Sequence, residues 1–276
     1  MAEKVLLSWS GGKDSALAFY EISQDQQYEM AGLLTTVTED YHRISMHGVR
    51  EALLEQQANS VGLPLSKVFI SKNSSNEEYE SKMKAVLFKF QKLGVYAVVF
   101  GDISLEDIRK YREENLAKVG MKGVFPIWGK DNLPQTFIDL GFQAIITCVD
   151  AKVLDKRFVG KLFDEKFLAE LPANVDPNGE NGEFHSFVFD GPIFQKKISY
   201  EIGKVVKRDS FYFCDLQPQG ATYPLAPGPT HEVLMDLPVG GDDTLAVNAY
   251  RLPIKLGDHS SRLSNEEDAA GQVPGV

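Results

Sequence analysis

Ser8-Trp9-Ser10-Gly11-Gly12-Lys13-Asp14-Ser15 follows the apolar run Val5-Leu6-Leu7 and precedes Ala16-Leu17-Ala18-Phe19. A short apolar run, two adjacent glycines and a segment of helical spacing predict a strand, a tight turn and a helix. Without Cβ atoms at Gly11 and Gly12 the backbone is open to close approach, and its amides can face an anion at the helix N-terminus. Ser8, Ser10 and Ser15 add hydroxyls, and Lys13 adds a positive charge. A Walker A loop requires a glycine where Leu7 stands and Ser or Thr where Asp14 stands. The dinucleotide fingerprint fails as well, because no glycine follows Gly12 by three residues.

Outward from this loop, strands and helices alternate. Residues 4 to 8, 30 to 37, 68 to 70 and 97 to 100 read as strands, while 14 to 23, 48 to 61 and 77 to 92 carry helical spacing. Gly94 stands where a helix C-terminus favours glycine. The run Ala97-Val98-Val99-Phe100 reads as a strand covered on both faces. Such alternation predicts a mostly parallel sheet whose ligands bind at the carboxyl ends of the strands. Thr35 and Thr36 end the second strand and are expected to meet an adenine; Gly101 ends the fourth and permits approach to a ribose or α-phosphate. Asp102 is read either as a magnesium ligand or as the cap of a helix starting near Ser104.

The chain has 276 residues, enough for one large or two moderate domains. Its two cysteines, Cys148 and Cys214, form no metal-type pair, and a reduced cytoplasmic setting is expected. Neither a signal peptide nor a membrane span is expected. The net charge of −10, from 39 acidic and 29 basic side chains, argues against a large nucleic-acid surface. The stretch Lys196-Lys197, Lys204, Lys207 and Arg208 reads as a solvated face or a local basic patch.

The pattern Ser10-Gly11-Gly12-Lys13-Asp14-Ser15 resembles the PP-loop of the N-type ATP pyrophosphatases. Further motifs narrow the resemblance. Gly101-Asp102-Ile103, Arg109, Tyr111-Arg112, Glu114, Phe125-Pro126-Ile127-Trp128-Gly129 and Gly179-Glu180-Asn181-Gly182-Glu183-Phe184-His185-Ser186 are similar to the diphthine-ammonia ligases, as are His47-Gly48-Val49 and Gln57-Ala58. Asn181 and His185-Ser186 give the second signature the form carried by bacterial members. The resemblance spans roughly residues 4 to 215.

The resemblance implies an α/β fold of the Rossmann-like HUP type (adenine nucleotide alpha hydrolase-like), with a mostly parallel sheet and a smaller C-terminal α+β subdomain. It implies an ATP-binding domain over 1–124 and a substrate subdomain over 125–215; beyond it, an extension with a Pro/Gly-rich start is read over 216–258 and, from its composition, a disordered tail over 259–276. It also implies adenylation of a carboxylate with release of pyrophosphate, then displacement of AMP by ammonia. The acid is diphthine on elongation factor 2 in the family, and another small acid in an organism without diphthamide. ATP and Mg²⁺ are the implied cofactors, with Asp14 and Asp102 as metal ligands. Lys13, Asp14, Glu180 and Glu183 take the catalytic roles; His47, Tyr111, Arg112, Glu114, Glu180, Glu183 and His185 meet the substrate. A homodimer is one assembly such a chain could form. Competing readings are a PP-loop pyrophosphatase for a different acid, a tRNA-modifying PP-loop enzyme and a nucleotide sensor without ligase activity. For Glu180, Glu183 and His185 the alternative is a polar turn before a strand; for Tyr111, Arg112 and Glu114 it is a salt-bridged helix face.

Overall fold

Val5, Leu6 and Leu7 are all fully buried, which a strand achieves only when both faces of its sheet are covered. In the computed structural model, which describes residues 2–219 apart from 42, 45–47 and 72–73, that condition is met. Strand β1 (Glu3–Ser8) leads into helix α1 (Lys13–Gln24), followed by β2 (Tyr28–Thr38), the short β3 (Arg43–Ile44) and α2 (Glu51–Val61). Next come β4 (Leu65–Ile70), α3 (Asn76–Lys92), β5 (Ala97–Val99), α4 (Glu106–Lys118) and β6 (Lys122–Val124). Parallel pairings give the order β4-β2-β1-β5-β6, with β3 antiparallel against the end of β2.

Alternation along each strand divides the core. Val5, Leu7, Leu33, Ala97 and Val99 pack with α1 and α2, whereas Leu6, Leu34 and Val98 pack with Leu87 and Phe90 of α3 and Leu116 of α4. The chain thus winds from β1 through α1 on one face, and returns from β4 through α3 on the other. The strand order reverses at β1, between β2 and β5, which opens a crevice at the carboxyl ends of the strands.

The second half builds α5 (Leu133–Asp139), β7 (Gln143–Asp150), α6 (Glu165–Glu170), β8 (Phe184–Asp190), β9 (Tyr200–Arg208) and β10 (Phe211–Pro218). Its antiparallel sheet has the order β8-β7-β10-β9. Phe137, Phe142, Phe158, Phe163, Phe167 and Phe184 pack ring against ring, and their cluster is continuous with the α1 face of the first sheet. The α/β fold, mostly parallel sheet and smaller antiparallel portion agree with the expectation. The basic stretch ends on β9, an edge strand on which Lys204, Lys207 and Arg208 are exposed. Cys148 and Cys214 are buried and free, and burial raises both thiol pKa values, that of Cys214 to about 11. No helix among the described residues is long and apolar enough to cross a membrane. His47, nearly all of the expected extension and the expected tail lie outside the described residues.

Asp215 of β10 ties the second sheet to the first. It accepts from Arg50 Nε at 2.9 Å and Nη2 at 2.8 Å, and from Arg43 Nη2 at 2.8 Å. Hydrogen bonds from Arg50, and then the Arg43 guanidinium, hold its carboxyl at about 2. A depressed acid stabilises the fold above its unfolded pKa of about 3.9, and the contribution is lost as pH falls through the folded value. About 2 kcal/mol is therefore expected to disappear between roughly pH 4 and pH 2. Asp215→Asn should lose about that amount at neutral pH and flatten the acid limb of a denaturation curve. An unchanged acid limb in this variant would show that the cluster is not responsible.

Candidate active site

The glycine turn stands at the carboxyl end of β1, beside the reversal of strand order. Gly11 has φ +77°, in the left-handed region where glycine is favoured, and Gly12 precedes the first turn of α1 without a side-chain cap. Hydroxyls close the turn on itself: Ser10 Oγ accepts from Gly12 N at 3.3 Å, and Ser15 Oγ donates to Gly12 O at 2.9 Å. Ser186 Oγ of β8 accepts from Lys13 N at 3.1 Å, so the second sheet supplies the hydroxyl that Gly12 lacks. The remaining amides of the first turn, those of Asp14 and Ser15, are the ones that an incoming phosphate would meet. Ser8 ends β1 opposite Leu34.

Lys13 Nζ lies 2.6 Å from Asp14 Oδ1 and 5.8 Å from the centre of the Phe184 ring. The lysine side chain is 6% exposed, but that of Asp14 keeps 37% of its surface and lines a crevice. Desolvation raises the Asp14 pKa; Lys13 opposes the rise, and the charges of Glu180 and Asp102 add to it. The carboxylates of Asp102 and Glu180 are thus near enough to Asp14 to act on its charge.

Gly101 brings the other wall of the crevice against this turn. A Cβ there would lie 2.7 Å from the Asp14 carbonyl and 2.9 Å from Ser15 N, so only glycine lets the two loops touch. Asp102 follows, and its carboxylate is held by the fork of Arg112, with Nε at 2.5 Å and Nη2 at 3.1 Å. Arg112 also stacks over Phe100, with its guanidinium carbon 4.4 Å from the ring centre. The alternative of Asp102 as a helix cap is therefore corrected: α4 begins at Glu106, later than expected, with Leu105 before it and no side-chain cap, and it is the loop leading into the helix that is held from elsewhere. Glu180 Oε1 accepts from the amides of Ile103 at 2.7 Å, Ser104 at 2.7 Å and Leu105 at 3.4 Å, and the Ser104 hydroxyl bonds Oε2. An acid at that position also meets the positive end of the helix dipole.

Glu183 is 9% exposed, and its carboxylate is engaged within its own loop, by Asn181 N at 3.0 Å, Asn181 Nδ2 at 3.2 Å and Asp176 N at 3.4 Å. Strand alternation places His185 on the opposite face of β8 from Ser186, away from the start of α1. Tyr111 and Arg112 both lie on α4, but only Arg112 is shown against Asp102; Glu114 is exposed and pairs with Lys110 at 3.9 Å. Thr35 is buried at the end of β2, and Thr36 bonds the buried Tyr79 hydroxyl of α3.

One residue that completes the turn, Ser186, was given no role by the sequence reading. Ser186 belongs to the quoted second signature, and only its contact across 173 positions reveals what it does. Gln57 is a second, and its signal was present: a glutamine among Leu53, Leu54 and Ala58 on the apolar face of a helix.

Family models of the diphthamide synthase N-terminal domain and C-terminal domain match residues 3–123 and 130–217, which together span most of the chain. The chain belongs to the diphthamide synthase family. Relatives include the diphthine–ammonia ligase of Bos taurus, 28% identical over 184 residues that make up 64% of this chain and 68% of the relative. That of Homo sapiens is 28% identical over 177 residues, 61% of this chain and 66% of the relative. The Schizosaccharomyces pombe protein of the same name is 31% identical over 165 residues, 57% of this chain but only 27% of its own length. As a diphthamide synthase family member the chain falls in the class of ATP-dependent ligases.

Proposed function

We propose that this chain adenylates a substrate carboxylate at the crevice between the Gly11–Ser15 turn and Gly101, and then passes the acyl group to ammonia. The juxtaposition at that crevice supports the reading best. The start of α1 and the Gly101–Asp102 loop meet at the reversal of strand order, and Glu180 fastens the second signature to the same loop. The relatives are named as ligases of diphthine and ammonia, which supports the same chemistry and makes diphthine on elongation factor 2 the first acid to test.

In this reading a carboxylate oxygen attacks the α-phosphorus of ATP, and the bond to the β-phosphate oxygen breaks with its electron pair leaving on pyrophosphate. The first-turn amides of α1 and the Lys13 ammonium stabilise the charge that collects on this leaving group. Ammonia then attacks the acyl carbon, the bond to AMP breaks, and the nitrogen gives up a proton. Gly101 lets the backbone of its loop come close to the α-phosphate, while the backbone of β2 at Thr35 and Thr36, past the end of its pairing with β1, is offered to the adenine. Arg112 orients Asp102, and Glu183 holds the shape of the loop that receives the acid. His185, Tyr111 and Glu114 stand outside this arrangement, and the account gives them no chemical step.

The donor set fits a magnesium ion that arrives with the nucleotide. Among the described residues no group of three or more His, Cys, Asp or Glu side chains could hold a metal. Magnesium in nucleotide sites commonly uses one or two carboxylates together with phosphates and water. Asp14, with Asp102 behind it, would hold the ion, which would neutralise charge on the phosphates.

The test supplies the protein with ATP, magnesium, ammonium and a panel of carboxylic acids that includes diphthine-bearing elongation factor 2. A true substrate is expected to trigger pyrophosphate release and, when its carboxylate carries ¹⁸O, to transfer label to AMP. AMP free of label would contradict adenylation of the acid.

A further inference from the structure

We propose that Gln57, which touches neither phosphate nor carboxylate in this account, is the positioning residue that sets the angle of the nucleotide loop. The inference rests on the reading of the Gly11–Ser15 turn as the ATP site. Gln57 is 0% exposed, and all the polar capacity of its amide that the fold can reach is used. Its Oε1 accepts from Trp9 Nε1 at 3.0 Å, and its Nε2 donates to Gly11 O at 3.0 Å and to Val188 O at 2.6 Å. Val188 N closes the arrangement by donating to the same Gly11 carbonyl at 2.9 Å.

The chemistry permits only one orientation. Turned over, the amide would set its oxygen against two carbonyl oxygens and its NH₂ against the indole N–H. The Gly11 carbonyl is therefore clamped by two donors, one from α2 and one from β8. That carbonyl belongs to the peptide joining Gly11 to Gly12, so the clamp fixes the plane from which the chain enters α1. The direction of the first-turn amides, which a phosphate would meet, follows from that plane. Space is matched to the same end: a Cβ on Gly11 would lie 2.6 Å from Gln57 Oε1. Ser186, two residues before Val188, holds Lys13 N, so β8 grips the turn at two successive points.

A buried glutamine that merely filled the core would influence melting and not affinity in the folded protein. Gln57→Leu removes all three bonds at similar volume; Leu87→Ala, in the core on the opposite face of the first sheet, is the control for lost stability. ATP affinity is measured with magnesium at a temperature where melting curves show each protein folded. Gln57→Leu is expected to weaken ATP binding at least tenfold, while Leu87→Ala keeps it within twofold of wild type. Trp9→Phe, which removes only the indole donor and keeps most of the ring, should weaken binding severalfold and serves if Gln57→Leu does not fold. Wild-type affinity in Gln57→Leu, or in Trp9→Phe where that variant must serve, overturns the proposal. If Asp14→Asn still weakens binding in that case, the ATP-site reading survives. A wild-type protein that binds no ATP overturns both.

Discussion

Asp14→Asn is expected to lower pyrophosphate release at least about 100-fold, the scale on which a single charge-stabilising group acts in an active site. The melting temperature should stay within a few degrees. Asparagine retains an acceptor for Lys13 Nζ, so the buried ammonium keeps a neighbour. What the variant loses is a charge that the fold carries at a cost, since desolvation and the nearby Glu180 and Asp102 disfavour the ionised carboxyl. A perturbed acid in a crevice, beside a helix N-terminus, is a pattern of function more than of packing. Calorimetry and a coupled pyrophosphate assay on the same preparation read both halves of the prediction. Activity within threefold of wild type would remove Asp14 from the chemistry.

Glu180→Ala is expected to be the most damaging substitution in the second signature, by a different route. It strips the acceptor from the amides of Ile103, Ser104 and Leu105 and leaves the loop that leads into α4 without its anchor. Loss of hydrogen bonds to a charged group costs about 2 kcal/mol, which in a protein of this size lowers the melting temperature by roughly 4–8 °C. The same carboxylate holds the Gly101–Asp102 loop against the second half of the chain, so turnover should fall together with stability. Glu180→Gln keeps an acceptor and is expected to recover most of the melting temperature. If Glu180→Ala melts as the wild type does, these contacts contribute nothing measurable.

These two residues also show how much could be read before the fold was in view. The turn at Gly11 and Gly12, the alternating strands and helices and the glycine at the end of the fourth strand are local patterns, and the fold follows them to within a few residues at most boundaries. Asp14 and Gly101 could be placed at one crevice because the rule for open parallel sheets names the ends of the strands as the site. The role of Glu180 had no such signal. Its partners lie 75 to 77 positions away, and nothing in a Gly-Glu-Asn-Gly-Glu stretch says that one acid will anchor a distant loop while the other satisfies its own. Asp102 was legible as a capping residue by type, but Arg112, ten positions on, outcompetes the amides with a two-pronged charged contact. Gln57 stood in the Gln57-Ala58 motif as a polar side chain on an apolar helical face, without a role, and its three partners come from two segments distant from it in the sequence, the loop after β1 and strand β8.

The most direct test of the central claim is the identity of the phosphorus products. Turnover of ATP with magnesium, ammonium and a carboxylate substrate, followed by ³¹P NMR, should show AMP and pyrophosphate growing at equal rates, with cleavage between the α and β phosphates. ADP and inorganic phosphate as the initial products would contradict the account, because the loop at Gly11–Ser15 would then be releasing the γ-phosphate.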